Sequence, residues 1–138
     1  MCNYLLPITP DYDNRSIYRC EHGTFHLAWG RATFHLSPEE LNTLYALAHG
    51  LATDDNINRR IHLHQRTAPS GEAFIEIWLA GFGFRLTLPD FRVLQAILQN
   101  AMDWLSEQPP FSESDHMLQI EAAHIWRKNV IPKKLFWN

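Results

Sequence analysis

Residues 25–41 read Phe25-His-Leu-Ala-Trp29-Gly-Arg-Ala32-Thr-Phe-His-Leu36-Ser-Pro-Glu-Glu-Leu41, and this stretch decides the fold. Apolar and polar side chains alternate before and after Gly30-Arg31, which is typical of two β-strands joined by a tight turn. Ser37-Pro-Glu-Glu40 then offers a hydroxyl N-cap, a proline at the first helical position and a glutamate three residues after the cap. The stretch therefore predicts a β-hairpin followed directly by an α-helix.

The same order of elements returns fifty residues later in the chain. Residues 75–79 and 82–86 alternate around Ala80-Gly81, and Thr87-Leu-Pro-Asp90 offers a second helix start. A further strand precedes each hairpin, at residues 16–20 and 61–66. We predict two β-β-β-α repeats, residues 16–51 and 61–105, that arose by internal duplication; two ordinary hairpin–helix units are the alternative.

The fold class that follows is α+β. We expect the two pseudo-symmetric repeats to form one antiparallel sheet with the helices on one face. Residues 4–8 could add a strand to the first repeat, but Pro7 and Pro10 restrict them to an edge strand or an extended arm. Ser112-Glu-Ser-Asp115 can cap a third helix, so residues 112–138 are expected to form a C-terminal helix and a basic, aromatic tail. The whole chain, residues 1–138, is predicted to be a single domain.

Composition narrows the class of protein. The chain has 138 residues, 46% apolar and 20% charged, with a formal net charge of −3 and two cysteines. That length supports one sizeable core, and no apolar run reaches the roughly 18 residues of a membrane span. The acidic balance disfavours nucleic acid as a partner, since phosphates attract basic surfaces. The N-terminus lacks the features of a secretion signal, and two well-separated cysteines indicate a reducing compartment, so we expect a cytoplasmic protein without a membrane partner.

Successive side chains along a β-strand point to opposite faces of its sheet, so the alternation also assigns each residue to one face of the predicted sheet. One face is apolar and should lie under the helices. The other collects imidazoles, guanidiniums and an indole around Glu76. We predict that this polar face is open to water and contacts a ligand or partner through His26, His35, His62, His64, Arg66, Trp78 and Arg85. An ordinary solvated sheet face is the alternative.

A metal site is a second possibility. Cys20 and His22, with His26 and either His62 or His64, supply ligand types that Zn²⁺ uses. No paired C-x-x-C or C-x-x-H motif accompanies them, and Cys2 lies near a terminus that we expect to be loose. The prediction is therefore that the chain has no cofactor, with zinc at Cys20 and His22 as the alternative.

Motifs for catalysis are missing from the sequence. It contains no G-x-S-x-G, P-loop, H-E-x-x-H or dinucleotide fingerprint, so we do not expect an enzyme. Strand units followed by a helix, in two copies, resemble in element order the Whirly and PUR-type proteins that bind single-stranded nucleic acid. That resemblance implies a nucleic-acid interface on the open sheet face, where aromatic rings would stack on bases.

One resemblance reaches individual residues. Cys20-Glu-His-Gly-Thr-Phe-His-Leu-Ala-Trp-Gly30, followed by Phe34-His-Leu-Ser-Pro-Glu-Glu-Leu41, is similar to an uncharacterised family of small bacterial proteins with the pattern C-x-x-C-G-x-x-H-L-x-F-G-N. Here His22 stands at the second cysteine, Cys20 is displaced by one position, and Arg31 replaces the asparagine. The resemblance implies a bacterial, cytoplasmic protein and brings no activity with it.

These observations together predict a non-catalytic binding or adaptor module that self-associates, as a dimer for example, or binds a protein partner. A single-stranded nucleic-acid-binding protein that uses the His, Arg and Trp residues of the sheet face is the first alternative. A metal- or haem-linked sensor that uses the histidines is the second.

Overall fold

The computed structural model of the chain describes residues 2–53 and 60–108. Within them, strands and helices follow the predicted order and confirm the α+β class. The elements are β1 (Leu5–Pro7), β2 (Arg15–Cys20), β3 (Phe25–Trp29), β4 (Ala32–Leu36), α1 (Pro38–Ala48), β5 (Ile61–Thr67), β6 (Ala73–Leu79), β7 (Phe82–Thr87) and α2 (Leu88–Glu107). The predicted C-terminal helix and tail, residues 112–138, lie outside the described part of the chain.

The prediction of one antiparallel sheet is wrong, because the described strands form two. Sheet one has the order β1-β2-β3-β4 and sheet two the order β5-β6-β7, and every pairing is antiparallel between neighbours in sequence. The alternating pattern fixes which side chains share a face, but it does not specify which strand edges pair. In sheet one, β1 pairs with the outer edge of β2, so of the two alternatives for residues 4–8 the structure has the edge strand.

The chain divides into two compact units. The first comprises the residues up to Pro38 and the described residues from Asn100 onward; the second is Glu39–Gln99. The expectation of a single domain over residues 1–138 stays a prediction. No helix among the described residues combines the length and the apolar character needed to cross a membrane.

Sheet one is buried on both faces along its two central strands. Ile17 pairs with Leu27 on one face and Tyr18 with His26 on the other. The first pair is 0% and 1% exposed, and the second is 5% and 8% exposed. This differs from the expected arrangement, in which only the apolar face would be covered.

The second unit buries apolar side chains from sheet two and from both helices. Its least exposed side chains are Leu41, Leu44, Ile61, Ile77, Leu79, Leu94, Ile97 and Leu98. Two polar contacts join α1 to α2: the Tyr45 hydroxyl donates to Gln99 Oε1 at 3.0 Å, and Gln95 Nε2 donates to the Ala48 carbonyl at 2.8 Å.

The predicted helix starts are confirmed. Proline occupies the first position of α1. Beyond its last turn, Gly50 has φ +69°, and the N–H groups of Gly50 and Leu51 donate to the carbonyls of Leu47 and Ala46. This is the Schellman arrangement that glycine favours. At the start of α2, the Thr87 hydroxyl accepts the Asp90 N–H at 3.3 Å, as an N-cap does.

Candidate metal centre

The sequence Cys20-Glu21-His22 turns back on itself at the end of β2. The Gly23 N–H donates to the Cys20 carbonyl and the Cys20 N–H donates to the Thr24 carbonyl, both at 3.0 Å. Gly23 has φ +80°, a conformation that is unstrained only for glycine. The turn brings His22 Nδ1 to 3.9 Å from Cys20 Sγ.

The N-terminal segment runs past this turn because β1 pairs with β2 and places Leu5 opposite Cys20. The Glu21 carboxylate fixes the segment: its two oxygens accept the backbone N–H groups of Asn3 at 2.6 Å and Tyr4 at 3.1 Å. These contacts position Cys2, whose Sγ lies 3.8 Å from His22 Nδ1.

Four ligand atoms therefore converge at one place: the thiols of Cys2 and Cys20, a carboxylate oxygen of Glu21 and a ring nitrogen of His22. All four lie within 4.8 Å of one another. Bond lengths of about 2.0–2.3 Å place neighbouring ligand atoms of a tetrahedral zinc ion about 3.3–3.8 Å apart. The distances from His22 Nδ1 to the other three ligand atoms, 3.8 Å to Cys2, 3.8 Å to Glu21 and 3.9 Å to Cys20, match that spacing within a few tenths of an ångström.

Electrostatics at the cluster favour a cation. Burial, together with Cys20 and Glu21, raises the pKa of the Cys2 thiol from 9.0 to about 11, so its thiolate is disfavoured when no cation is bound. Burial would also raise the pKa of Glu21, but the N–H groups of Asn3 and Tyr4 lower it below its ordinary value. A divalent ion would stabilise the Cys2 thiolate that these surroundings disfavour.

His26 is buried, and the prediction that its side chain faces solvent is wrong. The physical reason is the N-terminal segment, since Cys2 Sγ lies 3.5 Å from His26 Nε2. Burial lowers the pKa of His26, and so does neighbouring His35, whose ring contacts it edge-on with centroids 4.5 Å apart. His35 itself is exposed, as predicted.

The remaining residues of the predicted partner face lie on the polar face of sheet two. The register places His62 opposite Trp78, and Glu76 between His64 and Arg85. The face is defined by His62, His64, Arg66, Glu76, Trp78 and Arg85, and we call it the sheet-two face. The seven predicted partner residues therefore do not share one sheet, because His26 and His35 belong to sheet one.

Contacts within the sheet-two face centre on Glu76. Its carboxylate accepts the Trp78 indole N–H at 3.0 Å and lies 3.7 Å from Arg66 Nη2. The Trp78 hydrogen bond is the largest influence on Glu76 and lowers its pKa; desolvation opposes this, and the charges of Arg66, Arg85 and His64 lower the pKa further. Arg85 stacks over the Phe74 ring, with 4.7 Å from Cζ to the centroid.

Sequence reasoning identified Cys20 and His22 but missed Cys2 and Glu21. His62 and His64, considered as further ligands, lie in sheet two and are not among the four convergent residues. The sequence did contain a signal that could have identified Cys2 and Glu21. If the predicted edge strand pairs antiparallel with β2, the residues just before Leu5 must run beside Glu21 and His22.

No protein-family model matches the chain, and comparisons with curated proteins and with solved structures gave no match. The resemblance to the uncharacterised bacterial family therefore stays a prediction.

Proposed function

We propose that this chain is a non-catalytic binding module whose first unit holds a Zn²⁺ ion through Cys2, Cys20, Glu21 and His22. The observation that carries the proposal is the convergence of two thiols, an imidazole and a carboxylate within 4.8 Å. These residues come from two separate stretches of chain, so local sequence alone does not force them together.

The donor set points to zinc among the common divalent ions. Ca²⁺ and Mg²⁺ prefer oxygen ligands, whereas paired thiolates with an imidazole suit Zn²⁺ in a tetrahedral site. Four protein ligands fill that coordination, which is the pattern of a structural zinc ion rather than a catalytic one. The ion would join the N-terminal segment to the turn after β2.

The test is metal content and affinity. Purified protein should contain about one zinc ion per chain, and Co²⁺ substitution should give the intense visible absorption of a tetrahedral thiolate site. Cys2→Ser, Cys20→Ser and His22→Ala should each weaken zinc binding at least tenfold. His49→Ala is the matched control, because His49 lies in the second unit and its Nδ1 contacts the Tyr45 carbonyl. Wild-type protein without zinc after reconstitution would refute the proposal.

For the second unit we propose protein binding through the sheet-two face, with a second copy of this chain as the simplest partner. Trp78 supports this: its indole is 40% exposed, and large exposed aromatics are typical of protein interfaces. Glu76 disfavours a single-stranded nucleic acid, since a carboxylate at the centre of the face would repel phosphates and already neutralises Arg66.

Two measurements separate these alternatives. Sedimentation velocity should show association that increases with concentration and is lost in Trp78→Ser but kept in Arg92→Ala, a control on an exposed position of α2. A fluorescently labelled oligonucleotide should not bind at physiological salt. A monomer at every concentration would refute self-association, and salt-sensitive oligonucleotide binding lost in Trp78→Ser would favour the nucleic-acid alternative.

We also propose that the two strand–helix units descend from one duplicated segment and that the protein works in a reducing, cytoplasmic compartment. Support for the first is the shared order β2-β3-β4-α1 and β5-β6-β7-α2. Support for the second is that both cysteines are free thiols, which zinc binding requires.

A further inference from the structure

The two thiols of the metal centre are close enough to react with each other. Their Sγ atoms lie within 4.8 Å, so an approach of at most about 2.8 Å would reach the length of a disulfide bond. The segment that must move is short and lies outside any regular element: Cys2 precedes β1, and its nearest fixed points are the Asn3 and Tyr4 N–H groups held by Glu21.

The two sulfurs differ in accessibility. Cys20 is 5% exposed, at the end of β2, whereas Cys2 is partly exposed. A small oxidant from solvent therefore meets Cys2 first, and the buried Cys20 is placed to complete the reaction from the protein side. This division into an attacked and a resolving thiol is the arrangement that favours a disulfide over further oxidation.

We propose that Cys2 and Cys20 are a redox pair: a peroxide converts them to a disulfide and the zinc ion leaves. This inference rests on the proposed zinc site. The Cys2 thiolate attacks one peroxide oxygen, which gives a sulfenic acid and hydroxide. The Cys20 thiolate then attacks the Cys2 sulfur and displaces a second hydroxide. The peroxide gains the two electrons that the thiolates lose, and the ion departs because both of its sulfur ligands are consumed.

Release of zinc removes one link between the N-terminal segment and the turn after β2. The disulfide replaces it with a covalent bond between Cys2 of that segment and Cys20. The segment therefore stays in place while the centre loses its ion. The oxidised and reduced proteins should differ in metal content and keep the same strand pairing. Reduction by a dithiol returns both thiols and restores metal binding.

The experiment treats zinc-loaded, full-length protein with hydrogen peroxide and follows released zinc with a chromogenic chelator and products by intact mass. We expect a mass loss of about 2 Da, about one zinc released per disulfide formed, and recovery of both with reductant and added zinc. Peptide mapping should join Cys2 to Cys20. Cys2→Ser and Cys20→Ser should give no intramolecular disulfide, whereas His49→Ala should behave as wild type.

Failure of the redox pair and failure of the zinc site give different results. If wild-type protein binds zinc but peroxide produces mass gains of about 16 or 32 Da without the disulfide, the redox pair is refuted and the zinc site stands. If wild-type protein binds no zinc, the zinc site is refuted, and with it metal release. A disulfide formed in that metal-free protein would then reflect only the proximity of the two sulfurs.

Discussion

Glu21→Gln should destabilise the attachment of the N-terminal segment by about 2 kcal/mol, because a carboxylate that accepts two backbone N–H groups is replaced by a neutral amide. The side chain is only 10% exposed, so water compensates little for the loss. The glutamine side chain has one oxygen and one amino group in place of the two carboxylate oxygens. The oxygen keeps one hydrogen bond, but the amino group is a donor and faces a backbone N–H that is also a donor. The contacts at stake are those to Asn3 and Tyr4.

The assay is urea unfolding of metal-free protein in the presence of a chelator, combined with hydrogen exchange of the Asn3 and Tyr4 amides. Glu72→Gln is the matched control, since Glu72 is an exposed glutamate in the turn between β5 and β6. The control should change the free energy of unfolding by less than about 0.5 kcal/mol.

The pH dependence follows from the direction of the shift. The pKa of Glu21 is lowered in the folded protein, so its contribution to stability is fully present above the ordinary carboxyl pKa of 4.5 and is lost as the pH falls through the folded value. The difference between wild type and Glu21→Gln should therefore shrink as the pH falls below 4.5. Equal stability at pH 7, or a difference that persists in acid, would refute the assigned role of Glu21.

Three further substitutions test the second unit by thermal or urea unfolding. Ala80→Gly should stabilise the protein by about 0.5–1 kcal/mol, because Ala80 has φ +51° in the β6–β7 turn, and a loss of stability would contradict this. Gly83→Ala should lower the free energy of unfolding by about 1–3 kcal/mol and change tryptophan fluorescence, because the added Cβ would lie 2.8 Å from the Trp78 ring. Unchanged fluorescence would show that the Trp78 ring does not pack against Gly83. Ile77→Ala should cost about 2–5 kcal/mol, as Ile77 is 0% exposed, and a cost below 1 kcal/mol would place it outside the core.

Local patterns predicted the elements well because their causes are local. The strands on each side of Gly30 and Gly81, the proline at the start of α1 and the Thr87 cap all depend on residues a few positions apart. The division into two sheets could not be predicted in the same way. It depends on which strand edges pair, and period-two alternation is equally compatible with one sheet or two.

The metal centre shows the same limit. Cys20 and His22 are neighbours in sequence, and the tight turn at Gly23 made their approach predictable. Cys2 comes from eighteen residues earlier in the chain, and its position depends on the pairing of β1 with β2. The burial of His26 is linked to the same pairing, because Cys2 Sγ lies 3.5 Å from His26 Nε2 on a face that alternation alone assigned to solvent.

Zinc-edge X-ray absorption of the purified, reconstituted protein tests the metal centre most directly. It should show two sulfur atoms at about 2.3 Å and two nitrogen or oxygen atoms at about 2.0–2.1 Å, and Cys2→Ser should reduce the sulfur count to one. A first shell of oxygen and nitrogen alone, or a sulfur count that Cys2→Ser leaves unchanged, would contradict coordination by both cysteines.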